Sequence, residues 1–286
     1  MLKAMEISHT FEAGSTPSRW ALRRVTVGVE AGETVLITGP SGSGKTTLAR
    51  ILAGLERPSQ GQVQLQGEDF YGSAQRSTPV PGQVAMAFQY PERQFFADSV
   101  WEELRWGLHL GLGLDDKAIR ARLVKVAREL DLPLEAVAHR SLRQLSSGQQ
   151  RKVALMSLLA LEPRVLILDE PLTGLNASER RRLAELLRRR LLQDRAMVVI
   201  AHELELFLPW ATTVAVLAAG RLVFRGSPEE LVATGDPAVL SAVCLPPLIE
   251  ISSSLKRYAL SEGPVSNEVS VVLDQVRRVV EARGSR

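Results

Sequence analysis

Cysteine is almost missing from this chain of 286 residues: Cys244 stands alone. A single thiol excludes an intrachain disulfide and any cluster of cysteine ligands, and it is compatible with a reducing, cytosolic setting. Long apolar runs are missing too. No stretch approaches the ~20 successive apolar residues that cross a bilayer, so any membrane path must come from other chains. The opening Met1-Leu-Lys-Ala-Met-Glu-Ile has no long apolar core followed by a cleavage site, and no secretory signal is expected. Charge of one sign is scarce: 35 Lys and Arg against 32 Asp and Glu leave a net +3, which argues neither for nor against nucleic acid. No internal repeat is found. Apolar residues make up 45% and charged ones 23%, the balance of a folded globular chain and not of a disordered one.

What is present begins with Gly39-Pro40-Ser41-Gly42-Ser43-Gly44-Lys45-Thr46, followed by Thr47. The octet fits G-x-x-x-x-G-K-[ST] and lies between an apolar run (Thr34–Thr38) and a helix-like segment (Thr46–Gly54), the strand-to-helix setting of a phosphate-binding loop. Its glycines let backbone N–H groups turn inward around a polyphosphate, and the helix N-terminus adds a favourable dipole. Lys45 would place a charge near the β and γ phosphates, and the Thr46 hydroxyl would ligate Mg²⁺. Further on, Val165-Leu-Ile-Leu-Asp169-Glu170 reads as a buried parallel strand ending in two carboxylates. Asp169 is the candidate for Mg²⁺, and Glu170, pointing the other way, the candidate proton acceptor for the attacking water. Together the two motifs imply a Mg-ATPase arrangement.

Leu145-Ser146-Ser147-Gly148-Gln149, followed by Gln150-Arg-Lys-Val-Ala-Leu155, resembles the signature of ABC ATPases, usually L-S-G-G-Q and then a helix. Taken alone, these residues read only as a polar turn and helix cap. The resemblance implies an α/β P-loop NTPase of the ABC ATPase type, with an N-terminal antiparallel β subdomain, a helical insert and a small C-terminal helical region. In that family two subunits pair head to tail, and each signature covers the γ-phosphate held by the other. Ser146, Gly148 and Gln149 would therefore contact ATP on a facing subunit. Gln89, after Val84–Phe88, resembles the Q-loop glutamine that reaches Mg²⁺ or the lytic water. His202, after Met197–Ala201, resembles the switch histidine on the γ-phosphate. Phe11 is the candidate for stacking on adenine and Trp20 the runner-up, though either serves equally well as core. ATP and Mg²⁺ are the expected cofactors.

Two positions depart from the family pattern. Ser147 stands where the signature usually has glycine, and Asn176 stands where the D-loop usually has aspartate. Both elements act across the dimer in this family, whereas Lys45, Thr46, Gln89, Asp169, Glu170 and His202 keep the usual types. Two readings stand side by side: harmless drift, or pairing with an unlike ATPase subunit in which the site completed by Ser147 and Asn176 is the slower one.

The rest of the chain reads coarsely. Leu2–Ser8, Val25–Val29 and Gln62–Gln66 look like strands, and Thr213–Leu217 with Leu222–Arg225 flank Gly220 as a hairpin. A helical insert is expected over about 98–150. Its clearest helix starts near Asp115-Asp116, carries Ile119, Leu123, Val126, Ala127 and Leu130 on one face, and should stop at Pro133. Asn176 to Gln193 reads as an amphipathic helix with Leu183, Leu186, Leu187 and Leu191 inward and Arg180–Arg182 and Arg188–Arg190 outward, a solvated face. The division expected is 1–226 for the nucleotide-binding domain and 227–286 for a C-terminal helical domain.

Gln89-Tyr-Pro91-Glu92-Arg-Gln94-Phe95-Phe96 is similar to the Q-x-P-E-x-Q-[LF]-F pattern of the ATP-binding subunits of energy-coupling-factor (ECF) transporters, which take up vitamins or transition-metal ions. The tail from Ala238, with Leu245-Pro-Pro-Leu-Ile, Leu255-Lys-Arg and a helix-like Glu268–Val280, is similar to that family's C-terminal region. The resemblance implies a second ABC ATPase subunit, like or unlike, an integral-membrane scaffold subunit and a substrate-capture subunit, with no nucleic acid. It also implies a peripheral place on the cytoplasmic face of the cell membrane. Scaffold coupling helices would lie in grooves near the Q-loop, where Phe95 and Phe96 read equally as anchors or as core. The rivals are a soluble ABC ATPase acting on ribosomes or DNA, which usually has two motif sets or a long coiled-coil insert, and a small-molecule P-loop kinase, which needs no signature. The transported solute stays open.

Overall fold

The computed structural model describes residues 1–11, 20–72, 82–90, 95–190, 194–257, 271–273, 275, 276 and 278. Pro91, Glu92 and Gln94 of the subfamily pattern, Leu191 and Gln193 of the arginine-rich helix, and 268–270, 274, 277, 279 and 280 of the expected last helix lie outside them. Among the described residues the strands form two sheets. One is antiparallel, in the order β2-β1-β4-β5, from β1 (Leu2–Thr10), β2 (Trp20–Val29), β4 (Gln60–Leu65) and β5 (Glu68–Asp69). The other runs β10-β9-β3-β8-β7-β6, from β3 (Thr34–Thr38), β6 (Val84–Ala87), β7 (Val165–Asp169), β8 (Ala196–Ile200), β9 (Thr213–Ala218) and β10 (Arg221–Gly226). All its pairs are parallel except the β9–β10 hairpin.

Every residue of β3, β7 and β8 is buried, as continuous Val/Ile/Leu runs require when both faces of a parallel sheet are covered. Alternation along each strand sends side chains to opposite sides. Leu36, Leu168, Val199 and Val216 join the larger core under the helices. Val35, Ile37, Ile167 and Val198 join a smaller one, packed on α1 (Lys45–Leu52) and on Ile7 and Val25 of the antiparallel sheet.

The insert starts with α2 (Val100–Leu112), whose Ser99 cap accepts the Glu102 N–H, and it buries Val100, Leu104 and Leu108 along one face. In α3 (Asp116–Glu129), capped by Asp115, Ile119, Leu123, Val126 and Ala127 face the core as expected. The expected stop at Pro133 is wrong by one turn. The helix ends at Glu129 because Leu130 caps it and Asp131 turns left-handed at φ 51°, leaving Pro133 to open the short α4 (Leu134–Val137). After α5 (Ser147–Leu161) comes α6 (Ala177–Arg190), with Leu183 and Leu187 buried and Leu186 partly so. Its arginines do not all face out. Arg181, Arg182, Arg188 and Arg189 are exposed, but Arg190 reaches Glu129 at 2.7 Å and the Leu159 carbonyl at 3.2 Å, and Arg180 pairs with Glu203. Those two hold α6 to its neighbours, so only part of the stripe is a solvated face.

In the tail, α7 (Pro228–Ala233), α8 (Pro237–Ala242) and α9 (Pro247–Arg257) follow the β9–β10 hairpin. Leu231, Val239, Leu245 and Ile249 join the same larger core as Val214 and Val216 of β9. Ser252 donates to the Gln275 side chain at 2.7 Å, tying α9 to the helical residues beyond it.

Candidate functional site

The turn from β3 to α1 is shaped by glycine. Gly39, Gly42 and Gly44 have φ of 142°, 74° and 102°. A Cβ on Gly39 would sit 2.0 Å from the Leu217 carbonyl oxygen, and one on Gly44 2.5 Å from that of Ala21, so neither position admits a side chain. Lys45, the first residue of α1, is buried, and its ammonium donates to the carbonyls of Gly39 at 2.8 Å and Pro40 at 2.9 Å. Burial lowers its pKa, against the pull of the Glu170 and Asp169 carboxylates. Ser41 is exposed on the loop and Thr46 in the first turn of α1, Thr47 is half-buried, and Ser43 is buried.

Asp169 ends β7, beside β8 and one strand removed from β3. Its pKa is raised by burial, opposed by a hydrogen bond with Thr46 and by the Lys45 charge. Glu170 turns left-handed at φ 50°, and its N–H donates to the Ile200 carbonyl at 2.9 Å, fixing it at the sheet edge. Its carboxylate accepts the His202 backbone N–H, and Oε1 lies 3.4 Å from His202 Nε2. Burial first, then the Asp169 charge, pushes the Glu170 pKa up to about 7. Burial and Lys45 lower that of His202.

These groups fit a Mg-bound polyphosphate. Buried Glu170 Oε1 and Ser43 Oγ have no hydrogen-bond partner among the described residues, so both have capacity for a ligand or water. A Thr46 hydroxyl against an Asp169 carboxylate is the hard-oxygen set that Mg²⁺ takes. Gln89 lies two residues past β6, with an exposed side chain at the same end of the sheet.

The signature stretch sits elsewhere. Ser146 caps α5 in a reciprocal box with Gln149, accepting its N–H at 3.2 Å while the Gln149 side chain accepts the Ser146 N–H at 3.1 Å. Gly148 and Asn176 open onto a groove of about 370 Å³ between α5 and α6. Thr38, Gly39, Pro40 and His202 line a different cleft of about 480 Å³, whose far wall is the tail around Cys244 and Glu250. The two share no lining residue. Ser147 is exposed in the first helical turn, and Asn176 caps α6, its Oδ1 accepting the Glu179 N–H at 3.0 Å.

The two aromatic candidates for adenine both neighbour Thr10. Phe11 follows β1, 46% exposed and edge-on to His9 at 4.9 Å, while Trp20 faces Thr10 across the ladder. Phe95 and Phe96 divide: Phe95 packs against the larger core, and Phe96 is 68% exposed. Trp106 stands edge-on to Phe96 at 6.3 Å, with Leu110 one turn along the outer face of α2. That patch is not part of the sequence reading, although its i, i+4 spacing beside Phe96 could have revealed it.

Comparison with known proteins agrees with this geometry. The profile of the family described as ABC transporter matches residues 22–173. The energy-coupling factor transporter ATP-binding protein EcfA2 of Symbiobacterium thermophilum is 32% identical over 97% of this chain and 96% of its own length. Its namesake from Thermotoga maritima is 33% identical over 85% of this chain and 89% of its own. Among solved structures, cbiO1 from Clostridium perfringens, described as part of the ABC transporter complex cbiONQ, superposes with a TM-score of 0.68 at 24% identity, covering 90% of this chain and 96% of that one. A glycine cradle, an acidic strand end and a capped signature helix, matched by relatives over nearly the full length, place the chain in the ABC transporter family.

Proposed function

We propose that this chain, an ABC-type ATPase using ATP and Mg²⁺, powers an ECF-type importer of vitamins or transition-metal ions. It would sit peripherally on the cytoplasmic face of the cell membrane, paired with a second ABC ATPase subunit. The carrying observation is the convergence of Lys45, Thr46, Asp169, Glu170 and His202 at one edge of the adjacent strands β3, β8 and β7. The relatives' names supply the transporter class.

In this reading the ATP phosphates occupy the 39–47 cradle, and Phe11 covers the adenine. Lys45 exchanges its loop carbonyls for β- and γ-phosphate oxygens. Mg²⁺, which neutralises phosphate charge, would be held by Thr46, Asp169 and Gln89. Glu170 takes the proton of the water that attacks the γ-phosphate, and a proton affinity near neutrality suits that role. His202, beside it, contacts the γ-phosphate. Ser146, Gly148 and Gln149 complete the facing subunit's site, a reading supported by Gly148 opening onto a groove that shares no lining residue with the cleft beside Gly39, Pro40 and His202. Catalysis is then chiefly positioning and charge stabilisation. The nucleotide-binding domain spans about 1–226, with 227–286 as its C-terminal helical region. Phe96, Trp106 and Leu110 are where a membrane scaffold would dock, with the substrate-capture subunit beyond.

Glu170→Ala tests the mechanism. ATP should still bind and a closed dimer should accumulate, but turnover should vanish; hydrolysis at the wild-type rate would remove Glu170 from the proton-accepting role. Purification in detergent should bring membrane subunits along with the chain. Recovery of ribosomes or DNA in their place would move the ATPase out of transport.

A further inference from the structure

Arg151 stands in the second turn of α5, just past the signature, and its side chain turns inward: the residue is 8% exposed. Nη2 donates to the backbone carbonyl of Gln89 at 2.6 Å. Nη1 lies against the turn at Gly174, where a Cβ would come within 3.4 Å of it. Gly174, at φ 77°, falls between Glu170 and Asn176. One guanidinium, carried on the signature helix, therefore hydrogen-bonds the exit from β6 and lies close to the turn after β7. Burying a cation costs several kcal/mol unless its donors are matched. The planar, multi-donor fork of arginine can serve two backbone segments at once, which a lysine ammonium does less well. The helices α2 and α3 pack on α5, and their buried residues share one core with it. Insert, signature helix and Gln89 backbone are thus joined through this side chain.

We propose that Arg151 is a positioning residue for ATP hydrolysis, holding Gln89 in its working place only while the signature helix is seated. The inference rests on the reading of Gln89 as part of the ATP site. The test is a double-mutant cycle in the full-length assembled dimer: Arg151→Met, Gln89→Ala and both together. Hydrolysis, ATP affinity and backbone amide exchange are each measured. Arg151→Met should lower kcat by about tenfold or more, the rate equivalent of one charge-assisted hydrogen bond, with ATP affinity little changed. Amide exchange at residues 88–90 should accelerate. In the Gln89→Ala background the same substitution should lower kcat no further. Because loss of a buried cation can prevent folding, Arg151→Lys is carried through the same cycle and should give a smaller effect in the same direction. An equal loss of kcat in both backgrounds, or unchanged kcat and exchange in a folded Arg151 variant, overturns the proposal. Full activity of Gln89→Ala alone would instead overturn the underlying assignment of Gln89.

Discussion

At Glu170, the burial that raises proton affinity does so at the expense of stability above neutral pH. Its carboxyl, raised from an ordinary 4.5 to about 7, holds its proton more tightly in the folded chain than in the unfolded one. Its contribution to stability is therefore full below the ordinary value and is lost as the pH rises through about 7. Glu170→Gln removes that loss. Without nucleotide, the variant should be more stable than the parent at about pH 8, and the two should converge as the pH falls toward the ordinary carboxylate range. Calorimetry across that range checks it, and equal melting at the alkaline end would show that the carboxylate is not held against its charge. The clustering of Glu170 with Lys45, Asp169 and His202 was legible because each follows an apolar run, and such runs align in a parallel sheet. Arg151 was not legible: a basic residue inside a helix reads as solvated, and only the packed structure shows it turned toward Gln89.

At the scale of elements, the two departures from the family pattern have different local meanings. Asn176 forms the cap of α6 that an aspartate would also form, so the substitution keeps the hydrogen bond and drops the charge. Ser147 occupies a helical position where a side chain meets no conformational obstacle. Neither change is required by the fold of the single subunit, so both readings, harmless drift and a slower facing site, remain compatible with it. Asn176→Asp with Ser147→Gly should leave thermal stability nearly unchanged, whereas Asn176→Ala should cost about 1 kcal/mol through the lost cap. Differential scanning fluorimetry separates the two; destabilisation by the double change would mean that Ser147 or Asn176 is structural after all. Strand and helix existence was largely readable, including the Gly220 hairpin and the Asp115 start. Boundaries were less so. The end of α3 was set by a left-handed Asp131 that nothing in the apolar spacing announces, and two arginines of α6 were claimed by Glu129 and Glu203, partners distant in sequence.

On the scale of the whole molecule, the exposed Phe96, Trp106 and Leu110 form an apolar patch on the outer face of the insert. Polar replacement there, such as Phe96→Ser with Trp106→Ser, touches neither of the two buried cores. Basal ATP hydrolysis should therefore persist while co-purification with membrane subunits falls. Retention of those subunits at the wild-type level would place their docking surface elsewhere.

The tail's apolar side chains meet β9 in a common core, β9 lies next to β3, and β3 runs straight into the lysine-bearing turn. Tail, sheet and phosphate cradle are thus linked in mechanical series. A partner that levers α7 to α9 would strain the cradle's own foundation through that shared core.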